Sequence, residues 1–159
     1  MRIIGLRAEP RGFTWAVLEG TQEVPILVKV AHVEAPATFS FPQSANFLRM
    51  QLLQLVSEHK PEAGGLKTPE MTRGQTEAAR ERLRVEGVLL AACTEGGLKV
   101  TQGPLVTLGR LLGVKSAKVL LESDDYRGIN LNKMAPTKRE AILIGAALLE
   151  GENANSSKR

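Results

Sequence analysis

The sequence has a single cysteine, Cys93, and only two histidines, His32 and His59. A lone cysteine excludes an intramolecular disulfide and is typical of proteins from a reducing compartment. One cysteine and two widely separated histidines are also too few for a four-ligand structural zinc site, and the chain has neither an HExxH nor a CxxC motif. We therefore expect neither a disulfide nor a structural zinc ion.

Long apolar runs and aromatic side chains are also scarce. No segment approaches the roughly 20 apolar residues that a membrane-spanning helix requires, and the N-terminal apolar run breaks at Arg7, too early for a secretory signal. Of the 159 residues, 43% are hydrophobic, 24% charged and 4% aromatic, which is typical of a globular domain. We expect one domain over residues 1–150, a disordered polar tail over residues 151–159, a cytoplasmic location and no membrane partner.

The apolar pattern predicts strands that alternate with helices. Three runs rich in β-branched residues open the chain, and Pro10 and Gly12 lie in the turn between the first two. After a non-helical crossover, Ser44 is predicted to cap the first helix. The predicted strands are residues 2–6, 13–18, 23–33, 62–67 and 98–101. The later predicted helices are residues 75–94, 104–112 and 136–149, and residues 122–132 are predicted to form a polar loop.

The resulting order, β-β-β-α-β-α-β-α-α, predicts an α/β fold. Its sheet would be mixed and five-stranded, with three antiparallel strands followed by parallel βα units, and with helices on both faces. Phe13 and Trp15 lie two residues apart and point to the same face of the second strand. Because the chain has few other aromatic residues to pack on a sheet, we expect both in the core and not on a base-stacking surface.

Four segments carry a resemblance to a known family. They are Ile3-Ile4-Gly5-Leu6 with Gly12-Phe13-Thr14-Trp15-Ala16-Val17-Leu18-Glu19, residues 75–92, Val100-Thr101-Gln102-Gly103-Pro104-Leu105-Val106, and Arg139-Glu140-Ala141-Ile142-Leu143-Ile144-Gly145-Ala146-Ala147. In order and spacing these segments resemble RNase H-like proteins, and more narrowly the RuvC-type branch of Holliday-junction resolvases and its bacterial relatives. The resemblance covers most of residues 1–150 and implies the RNase H-like form of the predicted fold.

The resemblance also implies where a nuclease site would lie. Members that cut nucleic acid hold two divalent metal ions with carboxylates on the first strand, at the end of the fourth strand and at the start of the last helix. The corresponding positions here are Arg7, Lys67, Thr137 and Glu140. Glu140 is therefore the only retained candidate catalytic acid, and the other three residues occupy former acid positions.

A cation in place of a bridging carboxylate repels a metal ion instead of binding it. We therefore interpret the nuclease site as lost and expect no metal or other cofactor. If the fold brings Arg7 and Lys67 to Glu140, ion pairs replace the metal cluster. The alternative is a divergent nuclease, dependent on Mg²⁺ or Mn²⁺, in which Glu140 acts with an acid displaced along the sequence. The candidate acids are Glu9, Glu62 and Glu70.

The formal net charge of +4 permits a polyanionic partner. Whether the chain can bind one depends on how its basic residues are distributed. Candidate nucleic-acid contacts follow the fourth strand and are Arg73, Arg80, Arg84 and Lys115. Arg80 and Arg84 share one face of a predicted helix, although Glu77 and Glu81 interleave with the arginines of this region and favour an ordinary solvated face. The leading interpretation is a non-catalytic protein that binds DNA or RNA. A further alternative is a protein-interaction or structural module, such as a homodimer formed through an exposed helix.

Overall fold

A computed structural model describes residues 1–70 and 76–151 of the chain. The predicted tail beyond Gly151, and the candidate contact Arg73, lie outside the described residues. The strands are β1 Arg2–Glu9, β2 Gly12–Gly20, β3 Pro25–Glu34, β4 Ala63–Lys67, β5 Val100–Gly103, β6 Asp125–Tyr126 and β7 Ile129–Asn130. The helices are α1 Phe41–His59, α2 Glu77–Glu95, α3 Leu105–Leu111, α4 Ala117–Glu122 and α5 Pro136–Ala147.

The first five strands form one mixed sheet in the order β3-β2-β1-β4-β5. Strands β1 to β3 pair antiparallel, whereas β4 and β5 join the sheet parallel to β1. The predicted α/β class and five-stranded mixed sheet are therefore confirmed. β4 is confirmed as well, although Leu66 is its only large apolar residue, because a strand in the middle of a sheet is stabilised by backbone pairing on both edges.

Helices cover both faces of the sheet, and a hydrophobic core lies between the sheet and the helices on each face. Alternate residues of β1 pack into one core or the other. Ile3 packs in the core under α5, with α3 and α4 beside it, whereas Ile4 packs in the core under α1 and α2. Phe13 and Trp15 belong to this second core and are almost fully buried, so the prediction that both are core residues is confirmed. Within the described part of the chain, no helix has the length and apolar character needed to cross a membrane.

The predicted start of α1 is wrong. The helix is capped by Ser40, whose hydroxyl accepts from the Gln43 backbone N–H, while the Gln43 side chain accepts from the Ser40 N–H at 2.8 Å. This reciprocal capping box and Pro42 in the first turn outcompete Ser44, since proline is well suited to the first turn of a helix. Ser44 is buried inside the helix, and the predicted non-helical crossover ends before Phe41.

The region between α3 and α5 contains more structure than predicted. The predicted polar loop of residues 122–132 includes the hairpin β6–β7, whose turn residues Arg127 and Gly128 both have positive φ, 48° and 87°. Two such residues suit a tight hairpin turn. The sequence did not predict this turn, because the usual signal is a dipeptide with aspartate or asparagine at the first position. The short helix α4 precedes the hairpin. β5 also begins two residues later than predicted, because Leu98 packs into the core before the strand starts.

Glycines let α5 lie directly on β1. A Cβ atom at Gly5 would collide with the Ala141 carbonyl oxygen and would lie 2.7 Å from the Gly145 backbone nitrogen. Gly145 in turn leaves the space that Leu18 fills. This close approach of backbone to backbone fixes where α5 lies above the sheet, and with it the position of Glu140, the residue before Ala141.

Candidate functional site

Two basic side chains and one carboxylate meet at the carboxyl ends of β1 and β4. The two strands are parallel neighbours, and Leu6 pairs with Leu66, so the next residues, Arg7 and Lys67, lie side by side. Both side chains reach Glu140 of α5. Arg7 Nε donates to Glu140 Oε2 at 2.5 Å, and Lys67 Nζ lies 3.9 Å from Glu140 Oε1. The predicted convergence of these residues into an ion-paired group is confirmed. Thr137 lies half-buried in the first turn of α5, three residues before Glu140.

These charges are largely withdrawn from water. The side chains of Arg7 and Glu140 are each 16% exposed, and that of Lys67 is 7% exposed. Burial lowers the pKa of Lys67, Glu140 opposes this effect, and the positive charges of Arg82 and Arg7 add to it. The site therefore disfavours further positive charge, and screening by salt is weaker here than on the surface.

α2 adds a second pair of charged residues, Arg82 and Glu86. Arg82 Nη2 donates to the Lys67 carbonyl oxygen at 3.4 Å, while its buried Nε atom has no hydrogen-bond partner among residues 1–70 and 76–151. Glu86 is 5% exposed, and its Oε1 atom also has no hydrogen-bond partner in the described part of the chain. Burial raises the pKa of Glu86, and Arg82, Arg7 and Lys67 oppose this effect. Positive charge on Arg7 also adds to the lowering of the pKa of Arg82 by burial.

Sequence reasoning did not place Arg82 and Glu86 in the site. The signal was present in the helix periodicity, because each precedes by three residues a buried residue of α2, Val85 or Leu89. Both charged residues therefore lie on the side of the helix that faces the sheet. We refer to Arg7, Lys67, Arg82, Glu86 and Glu140 as the strand-end cluster.

A polar network lies beside the cluster, on β1, β2 and β3. The buried Thr14 hydroxyl donates to Glu9 Oε2 at 2.8 Å and lies 3.1 Å from His32 Nδ1. His32 Nδ1 is also 3.0 Å from the same Glu9 oxygen. These three groups satisfy one another's hydrogen bonds, so the carboxylate of Glu9 is held at the sheet and not at Glu140.

The other two acids considered for a rearranged metal site are also engaged elsewhere. Glu62 lies at the amino end of β4, where it accepts from the Arg2 backbone N–H at 3.0 Å. Glu70 Oε1 accepts from the Leu105 backbone N–H at 2.9 Å, at the start of α3. In residues 1–70 and 76–151, no group of three or more histidine, cysteine, aspartate or glutamate side chains is arranged to hold a metal ion.

The described candidate nucleic-acid contacts do not form one surface. Arg80 is exposed on α2, and the Arg84 guanidinium stacks 3.7 Å from the centre of the Phe41 ring. Lys115 is exposed in the turn between α3 and α4, which pack with α5 on the opposite face of the sheet from α2. The strand-end cluster lies at the edge that the two faces share.

The strand-end cluster has the chemistry of an anion site. Three of its side chains are basic and two are acidic, which leaves one excess positive charge within the cluster when all are ionised. The neighbouring carboxylates of Glu70 and Glu9 also act on Lys67 and Arg82, and they raise the pKa of each. A divalent cation placed there would meet guanidinium and ammonium groups where carboxylate ligands are required. An oxyanion would instead find cationic hydrogen-bond donors.

The fold belongs to a recognisable class, whereas the sequence matches no protein-family model and no curated protein. The sheet order, with α5 packed over β1, defines an RNase H-like fold. More narrowly, the fold is that of RuvC resolvases. RuvC of Thermus thermophilus, solved in complex with a Holliday junction substrate, superimposes with a TM-score of 0.77 and 19% identity over 92% of each chain.

Two further solved structures share this architecture at lower similarity. The yeast mitochondrial Holliday junction resolvase has a TM-score of 0.59 and 15% identity, over 91% of this chain and 77% of its own. The fowlpox virus resolvase, solved with substrate Holliday junction DNA, has a TM-score of 0.53 and 12% identity, over 92% of this chain and 97% of its own. At these identities the comparisons establish the fold alone.

Proposed function

We propose that the chain is a RuvC-like protein that binds nucleic acid and does not cut it. The observation that carries this proposal is the ion-paired strand-end cluster, in which Arg7 and Lys67 contact Glu140 at the place where the resemblance puts metal-binding carboxylates. Cleavage by two metal ions requires carboxylates that bridge them. Basic residues at two of these positions replace the carboxylates that such cleavage requires. Their cationic groups still attract phosphate.

Branched DNA is the substrate class we favour. Two of the similar structures, RuvC of Thermus thermophilus and the fowlpox virus resolvase, are complexes with Holliday junction DNA. We propose that this chain uses the corresponding surface for a junction or duplex, with Arg80 and Arg84 as contacts from α2. We also propose a cytoplasmic location, where a nucleic-acid partner and a free thiol such as Cys93 are both expected.

As the alternative to nucleic-acid contact by α2, we propose that two copies pair through the outer face of this helix, which also carries Arg80 and Arg84. Leu83 is 42% exposed there, and Ala91 is exposed two turns further along. Between them, a Cβ atom added at Gly87 would meet no atom of the described residues within 4 Å. Glycine inside a helix costs about 1 kcal/mol relative to alanine, so its presence at an open position suits close approach of a second helix. A sizing column run over a concentration series, with Leu83→Glu as the disrupting variant, tests this pairing.

The binding proposal is tested by fluorescence anisotropy with labelled single-stranded DNA, duplex, four-way junction and RNA–DNA hybrid. We expect affinity for at least the junction to fall steeply as salt rises, because each phosphate contact releases condensed counterions. The paired variant Arg80→Gln/Arg84→Gln should weaken binding and lower the salt dependence. Absence of binding at low salt would exclude nucleic acid as the direct ligand, and cleavage in Mn²⁺ abolished by Glu140→Ala would establish the divergent nuclease instead.

A further inference from the structure

We propose that Lys67, supported by Arg7 and Arg82, binds a backbone phosphate directly and without a metal ion. The inference rests on the proposed nucleic-acid binding and assigns a site to it. The strand-end cluster would then hold a phosphodiester where a nuclease holds the bond it cuts. The ligand class is a singly charged phosphodiester oxyanion of DNA or RNA.

The hydrogen bonding of Lys67 points to a ligand. The residue is 5% exposed, yet among the described residues its ammonium makes no hydrogen bond, and its ion-pair partner Glu140 is 3.9 Å away. Arg82 Nε is fully enclosed without a hydrogen-bond partner among the described residues, whereas the Lys67 ammonium is not fully enclosed. The aliphatic stem of Lys67 is therefore buried while its head keeps contact with the outside. A buried stem that presents three unused donors suits an anion that approaches along the strand ends.

The charge balance of the cluster agrees with this assignment. Glu140 accepts from Arg7 at 2.5 Å and lies 3.9 Å from Lys67, so one carboxylate is shared between two cations. Arg82 lies close enough for its positive charge to lower the pKa of Lys67 further. Like charges held together at low exposure repel each other, and an anion bound among them relieves that repulsion.

Phosphate fits the cluster better than a carboxylate ligand or a cation. Its tetrahedral oxygens can accept from an ammonium and a guanidinium at once, and such charge-assisted hydrogen bonds are among the stronger ones in proteins. The adjacent ends of β1 and β4 supply one donor each, and α2 supplies Arg82 from the other side. Binding at this site requires no Mg²⁺, because the side chains carry the positive charge.

The test compares Lys67→Met with the matched control Lys60→Met. Both substitutions remove one positive charge, but Lys60 is exposed at the end of α1, before the amino end of β4. Affinity for a labelled four-way junction is measured by anisotropy across a salt series in EDTA. We expect Lys67→Met to weaken binding about 10-fold and to lower the slope of log affinity against log salt by about one, as the loss of one phosphate contact should. Lys60→Met should leave both quantities unchanged.

The outcomes separate this inference from the proposed function. If the wild-type protein binds the junction and Lys67→Met binds with the same affinity and slope, Lys67 does not contact phosphate and the inference is overturned. If the wild-type protein does not bind, the proposed function itself is overturned. Circular dichroism melts establish that Lys67→Met is folded, which we expect because methionine has an unbranched, flexible apolar side chain like the stem of lysine. Lys67→Gln serves as the second variant, with the same expected loss.

Discussion

Glu140 is the residue on which the charges of the strand-end cluster depend. It contacts both Arg7 and Lys67, and all three side chains are mostly buried. Removing one partner of a buried ion pair is costly because the remaining charge stays desolvated without compensation. Replacing the pair by apolar groups avoids that cost.

We therefore expect Glu140→Ala to lower the free energy of unfolding by about 3 kcal/mol, whereas the triple variant Arg7→Met/Lys67→Met/Glu140→Leu, which removes all three charges, stays within about 1 kcal/mol of wild type. Urea unfolding at pH 7 measures both values. If Glu140→Ala is as stable as wild type, Glu140 does not compensate the cations.

Glu86 gives the cluster a dependence on pH. Burial is the chief cause that raises the pKa of its carboxyl above the usual value of 4.5. Between the raised folded-state pKa and 4.5 the folded state binds more protons than the unfolded state. The contribution of Glu86 to stability therefore rises as pH falls through that window.

The variant Glu86→Gln lacks this titration. We expect it to be more stable than wild type at pH 7, with the difference shrinking as pH falls toward 4.5. Thermal melts of both proteins at matched ionic strength measure the difference in Tm. A difference that stays constant over this pH range would show that Glu86 titrates alike in the folded and unfolded states.

Among the elements, contact between β1 and α5 depends on glycine. The missing side chain of Gly5 allows the Ala141 carbonyl to approach the strand, so any Cβ atom there forces the helix away from the sheet. Gly87 in α2 differs, because an added Cβ meets open space. The two positions form a matched pair for the same chemical change.

Gly5→Ala should destabilise the protein by about 3 kcal/mol through overpacking. Gly87→Ala should stabilise it by about 1 kcal/mol, since alanine is the better helix former. Chemical unfolding of dilute protein, where association does not contribute, tests both values. Equal effects at the two positions would contradict the close packing of β1 on α5.

Element prediction succeeded where a run was long or its position was constrained by neighbours. The three opening strands and α2 have extended apolar patterns, and β4 was inferred from its place between two helices. The start of α1 was misplaced because Ser40 and Ser44 both have cap chemistry, and only the reciprocal contact with Gln43 separates them. α4 and the hairpin β6–β7 are too short to show periodicity.

For the molecule as a whole, the sequence predicted the core of the site better than its surroundings. The spacing shared with RuvC-type resolvases placed Arg7, Lys67 and Glu140 together, and the structure confirms their ion pairs. Arg82 and Glu86 were missed because charged residues on a helix are ordinarily solvated. Their burial follows from the way α2 packs at the sheet end, which is a tertiary effect.

The central claim is that a RuvC-like scaffold holds nucleic acid with side-chain cations in place of metal ions. The most direct measurement is anisotropy of a labelled four-way junction in EDTA and in Mg²⁺ at matched ionic strength, with the same samples then resolved on a denaturing gel. The account predicts one Kd in both conditions and intact strands throughout. Binding that requires the metal, or strand cleavage in its presence, would contradict it.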